Sequence, residues 1–362
     1  MKTKELFKLT LLVLMALLGT LTASAAITYD FSAENAEGQV IYYNILDEDA
    51  QTVELACAYD TYSYGHNVYN GYGDIVIPST VEYNGKTYTV TYVKEKAFYR
   101  ADITSVSLPN TIDSIGPLAF VDCMNLFSFT VPENVKILGG GMIYIYGESN
   151  MNTLYYNAKY ADGRLWQIGS GPIPFYYGPI FLQDCEVIIG EEVEHLPDNF
   201  LRECEITSIT IPSNVTSIGE YAFYNCEELG PYVIIPQNVT SIGKYAFSGC
   251  NALNTVIATM TTPPSIEANV FPKRKSQTLY VPIGCLPNYV TADYWKEFKE
   301  IKEPSRIYFE DSNVEAICVQ NWDTNGDGYL DQIEAYMVTD LGTASKEIVR
   351  LRNSTNCNIS RD

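Results

Sequence analysis

The chain reads as a β-rich solenoid of short, stacked parallel strands, followed by a C-terminal helix–loop–helix. Three observations lead to that fold. The stretch Ile206-Thr-Ser-Ile-Thr-Ile-Pro-Ser-Asn-Val-Thr-Ser-Ile-Gly-Glu-Tyr-Ala-Phe-Tyr-Asn-Cys226 returns 24 residues later, so that Pro212 and Pro236, Ile218 and Ile242, Phe223 and Phe247, and Cys226 and Cys250 keep one spacing. A period of roughly 20–29 residues marks coils that stack on one another. Within each copy, runs such as Ser208-Ile-Thr-Ile211 alternate hydroxyl and aliphatic side chains, the period of a half-buried strand. Near the C-terminus, 312–322 and 332–340 read as helices flanking a loop rich in Asp and Gly. A single coil carries too few apolar side chains to offset the entropy of ordering its backbone, so it needs neighbours above and below.

Taken in order, residues 1–26 read as a signal peptide. Lys2, Lys4 and Lys8 precede the apolar run 9–18, and Ala23-Ser-Ala25 offers small residues for cleavage. No other apolar run approaches the length of a membrane span, so no transmembrane segment is expected. The expected location is secreted or at the cell surface. Cys57 is the first cysteine, which leaves no N-terminal cysteine for lipid attachment. The net charge is −21, and loss of the leader takes it to about −23. Such acidity argues against nucleic acid and anionic lipid as partners. It suits a solvated exterior, or cation binding.

Residues 27–74 read as an N-terminal β cap, with apolar alternation at Val40/Tyr42 and Val53/Leu55. The solenoid with its C-terminal cap spans 75–303. Its first coil opens at Ile75-Val-Ile-Pro78, carries a hairpin-like insertion at Asn84-Gly85, and rejoins the pattern at Ala97-Phe98. The coil 103–123 is regular. The next leaves the pattern at Gly139-Gly-Gly141, and the chain stays rich in Tyr, Gly and Pro as far as Asp184, although 153–158 still fits a strand. Tyr294-Trp295 and Phe298 read as the closing cap, and the strand slots suggest about eight coils. Proline at the strand end should stop the pairing there, and Asn214 and Asn238 suit the turn that follows.

Nine cysteines in an exported chain would ordinarily suggest disulfides. Here Cys123, Cys204, Cys226 and Cys250 each stand 14 residues after a strand-ending Pro or Gly. Side chains in one repeat slot point the same way, which is poor disulfide geometry. These four are therefore expected to be buried free thiols acting as small apolar fillers.

The unit Ile-Pro-x-x-Val-x-x-Ile-Gly-x-x-Ala-Phe-x-x-Cys, seen at 211–226 and 235–250, resembles the BspA-like leucine-rich repeats of bacterial surface proteins of the Bacteroidetes type. The resemblance covers roughly 75–300. It implies a leucine-rich-repeat solenoid that binds host or extracellular-matrix proteins in adhesion, and it does not imply an enzyme.

One motif carries definite chemistry. In Asp323-Thr-Asn-Gly-Asp-Gly-Tyr-Leu-Asp-Gln-Ile-Glu334 every constrained position of an EF-hand calcium loop is met. Asp323, Asn325 and Asp327 offer side-chain oxygens, Tyr329 its carbonyl, Asp331 the ninth position and Glu334 a bidentate carboxylate, while Gly328 allows the sharp turn. Hard oxygen donors suit calcium over zinc. A lone loop lacks the partner hand of a sensor, so a structural calcium site within 304–345 is expected. In longer BspA-like proteins a similar segment interrupts the array. Here a polar tail, 346–362, follows it, as a truncated member would show.

No constellation suggests catalysis. His66 and His195 have no Ser or Cys partner at any motif spacing, and Glu191-Glu192 and Glu227-Glu228 fall in coil turns. Two functional readings stay open. In one, outward Ser105, Ser107, Ser208 and Thr210 present a ladder to a protein partner. In the other, the segment 139–177 binds a glycan through Tyr155, Tyr156, Trp166 and Tyr176, which could equally fill a widened core.

Overall fold

A computed structural model describes residues 29–56, 69, 71–144, 150–162, 180–182, 185–323, 326 and 328–338. The expected signal peptide, the polar tail, His66, Trp166, Tyr176, Asn325 and Asp327 lie outside the described residues.

Strands β1 (Phe31–Glu34), β2 (Val40–Asp47) and β3 (Thr52–Leu55) form an antiparallel meander. After β4 (Gly73–Val76), β5 (Thr80–Tyr83) and β6 (Lys86–Val93) make a hairpin. Its turn residues Asn84 and Gly85 sit at φ of 50° and 75°, the double positive φ that Asn-Gly tolerates best. Because β3 pairs in parallel with β6, the meander is continuous with the coils and covers their first edge.

The coils then supply β7 (Ile103–Ser107), β8 (Ser114–Ile115), β9 (Ser128–Val131), β10 (Ile137–Leu138), β11 (Ile143–Tyr144), β12 (Thr153–Tyr156), β13 (Ile180–Phe181), β14 (Glu186–Ile189) and β15 (His195–Leu196). Beyond them lie β16 (Ser217–Ile218), β17 (Tyr232–Ile235), β18 (Ser241–Ile242), β19 (Thr255–Ala258), β20 (Thr278–Tyr280) and β21 (Glu300–Lys302). The longer strands stack as β4–β7, β9–β12–β14 and β17–β19–β20–β21, while the two-residue strands β8 and β10 continue from the end of β6 and β15–β16–β18 form their own ladder. Ile218 stands directly opposite Ile242. β21 adds a rung in the Lys- and Glu-rich stretch read as cap, so the long ladder exceeds about eight coils.

One core runs the length of the stack. Phe223 lies on Phe247 at 5.2 Å and 16°, and Phe247 on Phe271 at 5.1 Å and 8°. Trp295 and Tyr289 close the end, both buried, their polar atoms donating to Pro264 O at 2.8 Å and Met260 O at 2.7 Å. That satisfies the polar groups that large aromatics bring into a core.

The motif residues are explained by close approach of successive backbones. A Cβ on Gly219 would lie 2.5 Å from Asp198 N, and one on Gly243 2.4 Å from Glu220 N. The Ile-Gly pair is therefore a contact in which only glycine fits. The cysteine slot does more than fill space: Cys123, Cys226 and Cys250 donate their thiols to Phe98 O, Leu201 O and Phe223 O of the preceding coil at 3.0, 3.0 and 3.2 Å. The seven described cysteines are free. Burial pushes the Cys123, Cys204 and Cys250 thiols up to about 12.

The run 208–211, expected as a strand, forms none. Coils whose strand ends in Asn157, Gly190 or Thr259 donate that N–H to Val131 O, Tyr156 O or Ile235 O of the coil before, at 3.2, 2.8 and 3.0 Å. Pro132, Pro212 and Pro236 hold the same position and have no N–H to give. The three breaks in the long ladder, between β7 and β9 and on both sides of 208–211, fall at those prolines, although Pro109 and Pro282 hold the same position after β7 and β20, which stay paired with β4 and β19. Asparagine two residues on restores a tether. Asn134, Asn214 and Asn238 donate side-chain amides to Asn110 O, Glu191 O and Ser213 O at 2.9, 2.6 and 2.8 Å.

Two outcomes are expected. Gly219→Ala, measured by urea unfolding, should cost about 2–3 kcal/mol because backbone on the neighbouring coil cannot give way. In a thiol-alkylation time course at pH 8, Cys285, the least covered of the described cysteines, should react before the other six. Cys123, Cys226 and Cys250 should react only on unfolding.

Candidate binding face and calcium-loop segment

Strand alternation turns two residues of each long strand into the core and two outwards. The outward rows hold Thr130, Thr153, Ser208, Thr210, Thr255 and Thr278, as the hydroxyl ladder requires. They also hold side chains that the composition of the motif did not announce: Tyr155, Ile188 and Tyr232 are 41%, 38% and 37% exposed. The signal was present in register, since these residues occupy the same slot positions as the threonines. Ser105, expected on the open ladder, instead donates with Thr104 to the Asp74 carboxylate at 2.8 and 2.7 Å. Those two hydrogen bonds hold the Asp74 carboxyl below the usual range.

The aromatic segment divides. Tyr155 faces outwards, whereas Tyr156 is fully buried and packs edge-on against Phe200 at 4.6 Å. Adjacent residues on a strand point to opposite faces, so only one of the pair can meet a ligand. Tyr156 is thereby removed from the glycan-binding set. His195 is also structural, its Nδ1 lying 2.7 Å from Ser217 Oγ on the next coil.

The C-terminal segment begins with α1 (Ser312–Trp322), capped by the Asp311 side chain at Asn313 N, and ends in α2 (Gln332–Met337). In the loop between them Asp323 accepts N–H bonds from Gly326 and Gly328 at 2.7 and 2.9 Å, with both glycines at positive φ. Asp331 caps α2: its Oδ1 accepts from Glu334 N at 2.9 Å, and Glu334 Oε2 accepts from Asp331 N at 3.0 Å. This reciprocal capping box fixes the last two acidic positions relative to one another. Ile307 N donates to Leu330 O at 2.8 Å, and Arg306 bridges antiparallel to Asp331, so the linker is paired with the end of the loop. The Arg306 guanidinium lies 3.4 Å from the Tyr329 ring centre and pairs with Glu315 at 2.8 Å.

Among the described residues no group of three His, Cys, Asp or Glu is placed to hold a metal ion. Asp323, Asp331 and Glu334 are the described carboxylates of the motif, and they fit a hard cation in donor type. The segment also rests on the solenoid. A pocket of about 410 Å³ has Ile211, Ile234, Pro236 and Ile283 on one wall and Asp331, Ile333 and Glu334 on the other. Ile257, outward by alternation, is fully buried yet lies outside the solenoid core, as it would beneath such a cover.

The model of the BspA type leucine-rich repeat region matches residues 77–161 and 183–317 in six copies. The chain belongs to this family. Membership makes it a leucine-rich-repeat protein. Among solved structures, the BspA-type chain is similar to a leucine-rich cell surface protein from Faecalibacterium prausnitzii (22% identity, 67% of this chain and 58% of that one, TM-score 0.39). It thus spans little over half the length of that protein. It is also similar to a leucine-rich repeat protein from Bacteroides ovatus (20%, 76% of each chain, TM-score 0.29). A third likeness is to the leucine-rich repeat protein of T. pallidum (18%, 74% and 81%, TM-score 0.26). No curated protein matches. No helix among the described residues is long and apolar enough to cross a membrane.

Substitution separates the two tyrosines. Tyr156→Ala should destabilise the fold by about 3–5 kcal/mol, read by chemical denaturation, while Tyr155→Ala should leave stability within about 0.5 kcal/mol.

Proposed function

We propose that the chain is an exported interaction protein that binds a protein partner, of host or extracellular-matrix type, through the outward face of its long-strand ladder. The observation that carries this is the exposure of Tyr155, Ile188 and Tyr232 among hydroxyl side chains on a stacked, rigid scaffold. Aromatic anchors on pre-ordered backbone bind at low entropic cost. Export rests on the N-terminal leader pattern. The calcium loop serves as a structural site in this reading: Asp323, Asn325, Asp327, Tyr329, Asp331 and Glu334 hold the ion and stiffen the segment that covers the last coils. The glycan alternative draws on Tyr155, Trp166 and Tyr176.

Screening against matrix-protein and glycan arrays tests the partner class. Ser107→Glu, Ser208→Glu and Thr210→Glu together should weaken a protein hit at least tenfold, and Tyr155→Ala, Trp166→Ala and Tyr176→Ala together should abolish a glycan hit. Glycan binding that survives the hydroxyl-ladder changes, with no protein hit, would reverse the order of the two readings. For the metal, calcium at roughly a hundred times its Kd should stabilise the C-terminal segment by about 2.7 kcal/mol. Asp323→Ala or Glu334→Ala should remove that gain. An equal shift of the melting curve in wild type and variants would dismiss the loop as the site.

A further inference from the structure

The break beside β14 leaves an opening of definite chemistry. Between β14 and the run 205–210 lies a cleft of about 660 Å³. No backbone hydrogen bond joins 208–211 to either neighbour. On the other wall, Glu186 N and Gly190 N bond towards β12, so alternation turns the backbone groups of Val187 and Ile189 into the cleft. One wall is thus the edge of β14, and the other is a run with no backbone hydrogen bond to either adjacent coil.

The core is thinnest at the same place. Val187, Ile189 and Ile211 are 9%, 6% and 7% exposed, whereas Leu154, Tyr156, Val233 and Ile235 in the equivalent slots are at 0–1%. On the opposite side of the same two coils the short ladder is closed, with Leu196 paired to Ile218. The opening is therefore confined to one side, and it is bounded at its ends by Glu205 N donating to Leu182 O at 3.3 Å and Asn214 donating to Glu191 O at 2.6 Å. Pro212 cannot supply the N–H that would close the end of the gap. The rim is acidic: Glu186, Glu191 and Glu205 line it, and no Lys or Arg is among the described lining residues.

We propose that this cleft accepts an extended peptide segment of a partner protein by strand addition, with apolar side chains over Val187 and Ile189 and Lys or Arg side chains at the glutamate rim. Main-chain bonds to exposed edges supply affinity in this mode, and alternate side chains supply specificity. Four residues at about 3.3 Å each match the length of the β14 wall. The unpaired edges call for a strand, the thin core calls for apolar side chains, and the rim selects their charge. The cleft shares Ile188, Ser208 and Thr210 with the outward face, and an N-methylated peptide, which keeps every side chain, separates backbone pairing in the cleft from side-chain contact on that face.

The probe is a fluorescein-labelled heptapeptide of alternating Val and Lys, followed by anisotropy with the full chain. It should bind saturably. The same peptide N-methylated at alternate residues should bind at least tenfold more weakly, as should the parent peptide to Glu186→Lys/Glu205→Lys, both exposed positions. A peptide with Glu for Lys should prefer the charge-reversed variant. Amide hydrogen exchange should be fast at Val187 and Ile189 in the free chain and at least tenfold slower in the complex. No saturable binding, or equal binding of the N-methylated peptide, would overturn the proposal. So would slow exchange at both amides in the free monomer, which would mean the chain closes its own ladder. Protection that rises with protein concentration alongside a dimer in sedimentation would assign the cleft to a second copy instead.

Discussion

Successive coils must lie backbone against backbone, because no coil buries enough apolar surface to fold alone. Most features of the chain follow from that spacing. Gly219 and Gly243 are glycines because the next coil occupies the space of a Cβ. Cys123, Cys226 and Cys250 are cysteines because the slot is small and offers a carbonyl of the preceding coil to a weak donor. The phenylalanine column is the same constraint expressed in the core, one ring on the next.

Stacking need not be uniform around the coil, and here it is not. The short ladder carries the register through Leu196, Ile218 and Ile242, while the long ladder is interrupted between β7 and β9 and on both sides of 208–211. Asparagine side chains hold those coils together from the turn, which keeps spacing without closing the sheet. A solenoid built this way can open an edge at one coil without losing its core, since each coil answers mainly to its neighbours. The C-terminal helix pair uses the other exposed part of the sheet, resting near Ile211, Ile234 and Ile283. A metal site there would act on the last coils as well as on its own loop.

Carboxylates lie in turns, the histidine at 195 braces two coils, and the cysteines are buried with raised thiol pKa. What varies from coil to coil is the outward pair of side chains on each strand. Tyr155, Ile188 and Tyr232 break a run of hydroxyls there, and a rigid ladder presents them in fixed register.

The repeat, the core positions, the hairpin at Asn84-Gly85 and both C-terminal helices were legible in the residues themselves. Each depends on local spacing or on a turn that only certain residues can make. The calcium motif was legible too, as a pattern of oxygen donors in consecutive positions. Tertiary structure alone decided that 208–211 is no strand, because pairing depends on where the adjacent coils lie, which the alternation within the run does not report. It alone separated Tyr155 from Tyr156, since the face a strand residue takes depends on where its core lies. And it alone set α2 against the strands of the last coils, a contact between segments that share no sequence pattern.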